Sequence, residues 1–491
     1  GMAMAHWEIQ GWMILILGWV FVPFYTRSMV YTMPEFLERR YNPQSRTILS
    51  VISLVSYVLT KVAVTVYAGG LVFQQVFGIK ELWGIDFFWI AAIGLVVLTA
   101  LYTIFGGMKS VLYTSVLQTP ILLLGSLIIL VLGFKELGGW DEMMRVCGAV
   151  TVNDYGDTMT NLIRSNDDAN FPWLGALIGS AIIGFWYWCT DQFIVQRVLS
   201  GKNEMEARRG TIFGAYLKLL PVFLFLIPGM IAFALHQKYI GAGGEGFLPM
   251  LANGTANADA AFPTLVAKLL PAGVKGLVVC GILAALMSSL ASLFNSSAML
   301  FTIDFYKRFK PETPEKKLVG IGQIATIVIV VLGILWIPIM RSVGDVLYTY
   351  LQDVQSVLAP GIAAAFLLGI CWKRTSAQGG MWGLISGMVI GLTRLGAKVY
   401  YSNAGEVADS TFKYLFYDMN WLFFCGWMFL FCIIVVIVVS LATEAPTAEK
   451  IQGLVFGTAT KEQKAATRAS WNHWDIIHTV IILAITAAFY W

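Results

Sequence analysis

The 491-residue chain is 58% hydrophobic and only 13% charged, with a mean hydropathy of +0.72, whereas soluble domains run at about 45–50% apolar and 25% charged. Its apolar runs are continuous rather than alternating with period two, which excludes a β-barrel and leaves an all-α polytopic protein set in a lipid bilayer. A net charge of +4 without a basic block excludes a nucleic-acid partner.

Twelve spans are predicted, at about 8–28, 48–77, 85–104, 112–133, 172–197, 210–235, 273–304, 318–340, 346–371, 377–397, 419–441 and 474–491. The longer ones must tilt or protrude. Lys and Arg divide about two to one in favour of the connections after spans one, three, five, seven, nine and eleven. That bias places those connections in the cytoplasm and both ends of the chain outside. Gly1 opens directly on an apolar run, so further chain is expected ahead of it. Pro120, Pro221, Pro228, Pro338 and Pro360 are predicted to interrupt helices, and broken helices at mid-depth are where transporters place their sites. The six cysteines show no CxxC and the four histidines are scattered, so no metal or proton-relay cluster is expected. No nucleophile–base set points to an enzyme.

Within the spans, polar residues are few. The stretch Gly184–Arg197, GFWYWCTDQFIVQR, holds Asp191 inside an apolar run, behind Trp186, Tyr187 and Trp188. A carboxylate there costs roughly 2.5–3.5 kcal/mol unless it faces water or a partner, so this stretch is predicted to line a solute route. Lys61 and Asp191 are expected to pair, as an inner gate or as solute contacts. Glu8 and Lys218 form either a packing ion pair or charge-assisted partners for a polyhydroxylated solute, with Gln352 as a further polar group. The aromatics are either an interfacial belt or a stacking and gating surface. Ser288 and Ser289 follow Ala285 by three and four residues, so both hydroxyls overlie its carbonyl. Such oxygens suit a weakly held monovalent cation, although small residues also simply pack helices.

The strings YTMPEFLERRY (31–41), LYTIFGGMKSV (101–111), WYWCTDQFIVQR (186–197), GAYLKLLPVF (214–223), LMSSLASLFNSS (286–297) and LAPGIAAAFLLGICWKR (358–374) resemble the solute:sodium symporter family. The similarity is closest to its sodium/glucose and sodium/galactose branch and runs almost end to end. The resemblance implies an inverted five-helix-repeat (LeuT-type) transporter fold in one domain over 1–491. Residues 1–133 would be the remainder of the first repeat, 172–371 the second and 372–491 peripheral helices. It implies Na+-coupled uptake of a neutral sugar or polyol, such as a hexose, by alternating access. It makes Glu8, Lys218 and Gln352 sugar ligands, Tyr187 an inner gate and Trp188 its aromatic neighbour. Ala285 (carbonyl), Ser288 and Ser289 become part of a Na+ site.

Three departures accompany the resemblance. The family's first core helix should precede Gly1; Gly11 and Gly184 replace a Ser and an Asn that bind sugar; and Ser115 stands where many members have an acid. The rivals are another solute (myo-inositol, sialic acid or a carboxylate) and a transport-inactive sensor. Glu8 without a nearby Arg argues against an anion. The expected location is the cell membrane, specifically a bacterial inner membrane.

Overall fold

The computed structural model describes all residues except 31, 252–253, 344–345, 404–407 and 491. Side chains at 102, 104–112, 114, 117 and 341–343 are outside the description too, Lys109 among them. Ten helices among the described residues are long and apolar enough to cross a membrane. Twelve had been expected, and the difference has two sources. The predicted spans 85–104 and 112–133 form one continuous helix, Phe87–Leu137, of 51 residues. Only its second part, Gln118–Leu137, qualifies; Phe87–Leu101 is apolar but short. Gly106 and Gly107 do not end it, since a helix-interior glycine costs only about 1 kcal/mol. The predicted span 377–397 lies in the helix Ala377–Asn403, whose glycines and polar residues dilute its hydropathy.

The main helices begin with α1 (Ala5–Glu8), α2 (Gly11–Ile16), α3 (Pro43–Phe77), α4 (Phe87–Leu137), α5 (Trp173–Thr190) and α6 (Gln192–Leu199). They continue with α7 (Glu204–Leu219), α8 (Ala272–Phe309), α9 (Glu315–Val343), α10 (Leu347–Cys371), α11 (Ala377–Asn403), α12 (Trp421–Ala442) and α13 (His473–Tyr490). In α10, 83% of the apolar window is buried inside the protein, against 33% in α12 and 17% in α13. The helix bearing Gln352 is therefore the central one, and the carboxy-terminal helices are peripheral.

Small residues set the close crossings, as expected where lipid supplies no hydrophobic drive between helices. A Cβ at Gly125 of α4 would sit 2.5 Å from Val278 of α8, and one at Gly281 would sit 2.9 Å from Ile121. Between α10 and α11 the contact is backbone on backbone: a Cβ on Gly387 would lie 2.6 Å from Gly361 Cα.

Helix breaks do not follow the prolines. Pro120, Pro338 and Pro360 sit inside continuous helices. The chain instead leaves helical geometry at Ile9–Gln10, where Gln10 has φ −103° and ψ 24°, and at Asp191, where φ is −79° and ψ 124°. At Leu220–Pro221 the helix is interrupted without leaving helical geometry, with φ −72°, ψ −32° at Leu220 and φ −54°, ψ −32° at Pro221.

Beyond the spans, Asp259 in the turn Ala258–Ala260 takes the amide of Leu347 on both carboxylate oxygens, at 3.1 Å each, at the first turn of α10. Burial pushes its carboxyl up from 3.8 to about 6, against the smaller opposing pull of that amide. The folded state thus binds this proton more tightly than the unfolded chain. The associated stability is full below pH 3.8 and lost as pH rises through about 6. Thermal unfolding at pH 5 and pH 7.5 should show a larger gain on acidification in the wild type than in Asp259→Asn; equal gains would refute the assignment.

Candidate functional site

Polar side chains gather next to both unwound points. Glu8 ends α1 just before the first break. Its Oε2 accepts from Lys218 Nζ of α7 at 2.6 Å and its Oε1 from the Tyr348 hydroxyl of α10 at 2.8 Å. Gln352 lies four residues on from Tyr348, on the same helix face, and its side chain hydrogen-bonds the Tyr348 hydroxyl. Gln352 Oε1 is buried and has no hydrogen-bond partner among the described residues. Trp188 of α5 covers this group, with Lys218 Nζ 5.9 Å from its ring centre. Lys218, Glu8, Tyr348 and Gln352 therefore form one polar chain across three helices, with an indole beside it.

Next along α5 comes a second cluster. Tyr187 packs edge-on against Trp188 at 5.1 Å, and Lys61 of α3 lies 5.3 Å from the Tyr187 ring. Lys61 Nζ contacts Asp191 Oδ2 and sits 4.3 Å from the Phe193 ring. Asp191 Oδ1 accepts from Tyr57 OH at 2.9 Å and from Phe193 N at 3.1 Å. The reason for the break is local. With its backbone extended, Asp191 caps α6, and a negative charge at a helix amino end is favourable. The carboxylate that looked like a mid-span anomaly is a helix cap with an ion-pair partner.

The serines line α8, where Ser296 hydrogen-bonds Tyr57 of the second cluster. Ser288 Oγ is 2.6 Å from Ser115 Oγ of α4, so Ser115 touches the predicted cation residue directly. Ser289 and the Ala285 carbonyl share the same helix face, and neither Ser289 Oγ nor Ala285 O hydrogen-bonds a side chain among the described residues. Farther along α8, Gln196 of α6 donates to Ser296 Oγ at 2.6 Å and to Ser292 O at 3.2 Å.

Several polar groups were not foreseen. Gln10, 4% exposed, donates from Nε2 to Ser180 O at 3.3 Å and accepts from Trp188 Nε1 at 3.2 Å. Asp353 follows Gln352 directly and is ion-paired to Lys398, with Arg394 at 3.7 Å, which ties α10 to α11. Asp304, fully buried, joins Thr32 at 2.9 Å and Arg46 of α3 at 2.6 Å, tying α8 to the start of α3 and the chain before it. Gly11 packs on α7: a Cβ there would lie 3.0 Å from Ala215 O.

This architecture is that of a secondary transporter. The structure matches the substrate-bound outward-open state of a Na+-coupled sialic acid symporter with a TM-score of 0.67, covering 91% of this chain and 86% of that one at 20% identity. The shared fold is the inverted five-helix-repeat transporter fold. Residues 1–387 match the sodium:solute symporter family, and the chain belongs to that family. Similar proteins include the sodium/mannose cotransporter of Bos taurus (35% identical, 98% of this chain, 83% of that one). The sodium/myo-inositol cotransporter 2 of Homo sapiens is 35% identical (93% and 69%), and the sodium/glucose cotransporter 1 of Ovis aries 37% (88% and 67%). The chain is a multi-pass membrane protein and a sodium-coupled solute symporter, with Na+ as the coupling ion.

Proposed function

We propose that the transported solute is a neutral sugar of hexose type, carried into the cell with Na+ by alternating access. The observation that carries this reading is the polar chain Lys218–Glu8–Tyr348–Gln352 beside Trp188. Its one cation and one anion cancel, so the group has no net charge to offer an anionic solute. Its hydroxyl, carboxylate, ammonium and amide groups match sugar hydroxyls, and an indole face suits the apolar face of a pyranose. Gln352 Oε1 is an acceptor in place for one such hydroxyl. The relatives' names, which include mannose, glucose and myo-inositol, support a polyol.

Ala285, Ser288 and Ser289 supply oxygens of the Na+ site in this reading, and Tyr187 with the Lys61–Asp191 pair closes the inner side. Residues 1–133 act as first-repeat helices and 172–371 as the second repeat, with 372–491 peripheral. The protein works in a cell membrane. A bacterial inner membrane was expected from sequence, but the relatives named above are animal proteins. Inward movement of each Na+ supplies about 2.3 kcal/mol per 100 mV, plus its concentration gradient.

The test is uptake of labelled hexoses, myo-inositol and sialic acid into proteoliposomes with an inward Na+ gradient. Hexose uptake that collapses when K+ replaces Na+ supports the reading, whereas preferential sialic acid uptake refutes it. In the same assay Ser289→Ala should raise the half-saturating Na+ concentration about tenfold, the equivalent of about 1.4 kcal/mol. An unchanged Na+ dependence would remove Ser289 from the ion site.

A further inference from the structure

We propose that Gln10 is the residue through which this chain sets its choice among sugars, acting by fixing the plane of the Trp188 indole. This inference rests on the sugar-symporter reading above. Gln10 is the second of the two non-helical residues between α1 and α2, two residues after Glu8, and is 4% exposed. Its carboxamide bridges two turns of α5, donating to Ser180 O and accepting from the only polar hydrogen of the Trp188 side chain.

The room for it comes from Gly184. A Cβ on that residue would stand 3.0 Å from Gln10 Oε1, 3.1 Å from Met13 Cγ and 3.2 Å from Gln10 Cδ. A Cβ at 184 makes the carboxamide and Met13 give way by a few tenths of an ångström, so Gln10 and Gly184 form a matched pair. The other glycine, Gly11, opens toward Ala215 O and Ile482 instead.

The consequence lies in how an indole reads a sugar. A pyranose stacks its C–H face on the ring, and epimers differ in which C–H groups that face presents. With its N–H held by Gln10 and its edge against Tyr187, Trp188 has one fixed plane beside Lys218 and Glu8. Releasing the N–H lets the ring tilt, and discrimination between epimers weakens. Gln10 is thus a positioning residue for recognition, not a ligand by necessity.

The experiment measures KM and turnover for glucose, galactose and mannose in proteoliposomes with an inward Na+ gradient, for wild type, Gln10→Ala, Gly184→Ala and the double variant. Gly184→Ala keeps Gln10 but displaces its carboxamide, so it reports even where Gln10→Ala folds poorly. Each single variant should raise the KM of the preferred sugar at least tenfold, leave turnover within twofold and shrink the KM ratio between epimers. The double variant should be no worse than either single one, because both break the same contact. Turnover that falls equally for every sugar with KM unmoved, or KM effects that multiply in the double variant, would overturn the proposal. If the wild type takes up none of the sugars, the sugar reading itself has failed, and this inference with it. If the wild type discriminates and the variants match it, the inference alone has failed.

Discussion

Lys218→Ala is expected to reduce Na+-driven sugar uptake at least a hundredfold. Among the described residues the lysine is the only cation paired with Glu8, at 2.6 Å, and both side chains are only 18% exposed. Removing one member of a buried pair costs about 3–5 kcal/mol, because the remaining charge is left uncompensated. Tyr348 would stay as a neutral hydrogen-bond donor to the carboxylate and cannot replace the ammonium. Two effects are mixed in that loss, destabilisation and lost recognition. The double variant Glu8→Gln, Lys218→Met separates them, since it removes both charges at similar volume. It should recover the thermal midpoint of the wild type in detergent but not the uptake. Recovery of uptake as well would mean that the pair only packs helices.

The second large effect concerns the scaffold behind Gln352. Gly387→Leu is expected to abolish recovery of folded protein, measured as the monodisperse fraction after detergent extraction. Gly361 and Gly387 bring the backbones of α10 and α11 together, and a Cβ at 387 meets Gly361 Cα at 2.6 Å and Gly361 N at 3.1 Å. No side-chain rotamer relieves a contact made at Cβ, so the helices must separate. Overpacking of this kind costs about 1–3 kcal/mol and more when backbone has to move. Separation would also pull apart the Asp353–Lys398 pair, one residue from Gln352. Gly396→Leu on the same helix, where nothing lies within 4 Å of the added Cβ, should be tolerated. Equal loss in both variants would point to a general intolerance of α11 and not to this crossing.

What the sequence revealed and what it hid follow one physical line. Glu8, Lys61, Asp191, Lys218 and Gln352 stand out because charge or amide in an apolar run is costly, and the structure brings them into two adjoining clusters on α5. The same rule applied to Asp353 would have marked it, and with Arg394 and Lys398 four apart on the next helix its partners were within reach. Gln10 was masked by its neighbour Glu8, and nothing in its own type announces a helix break. Tyr348 and Tyr57 were invisible for a different reason: a tyrosine in an apolar run reads as apolar until its hydroxyl finds a carboxylate.

Helix boundaries were the weakest part. Prolines marked breaks poorly because neighbouring helices accommodate the freed carbonyls. The breaks that matter came where a side chain had better use for the backbone, as Asp191 does in capping α6. The expected gap between 104 and 112 failed for want of any group strong enough to end a helix there.

The account turns on ion and solute favouring the same arrangement of one protein. Linkage then requires that each raise the affinity of the other by an identical factor. Calorimetric titration of the purified protein with the preferred hexose, with and without Na+, gives one factor; titration with Na+, with and without the hexose, gives the other. The account predicts equal factors of about tenfold or more, a coupling of about 1.4 kcal/mol. A hexose affinity unmoved by Na+ would contradict it.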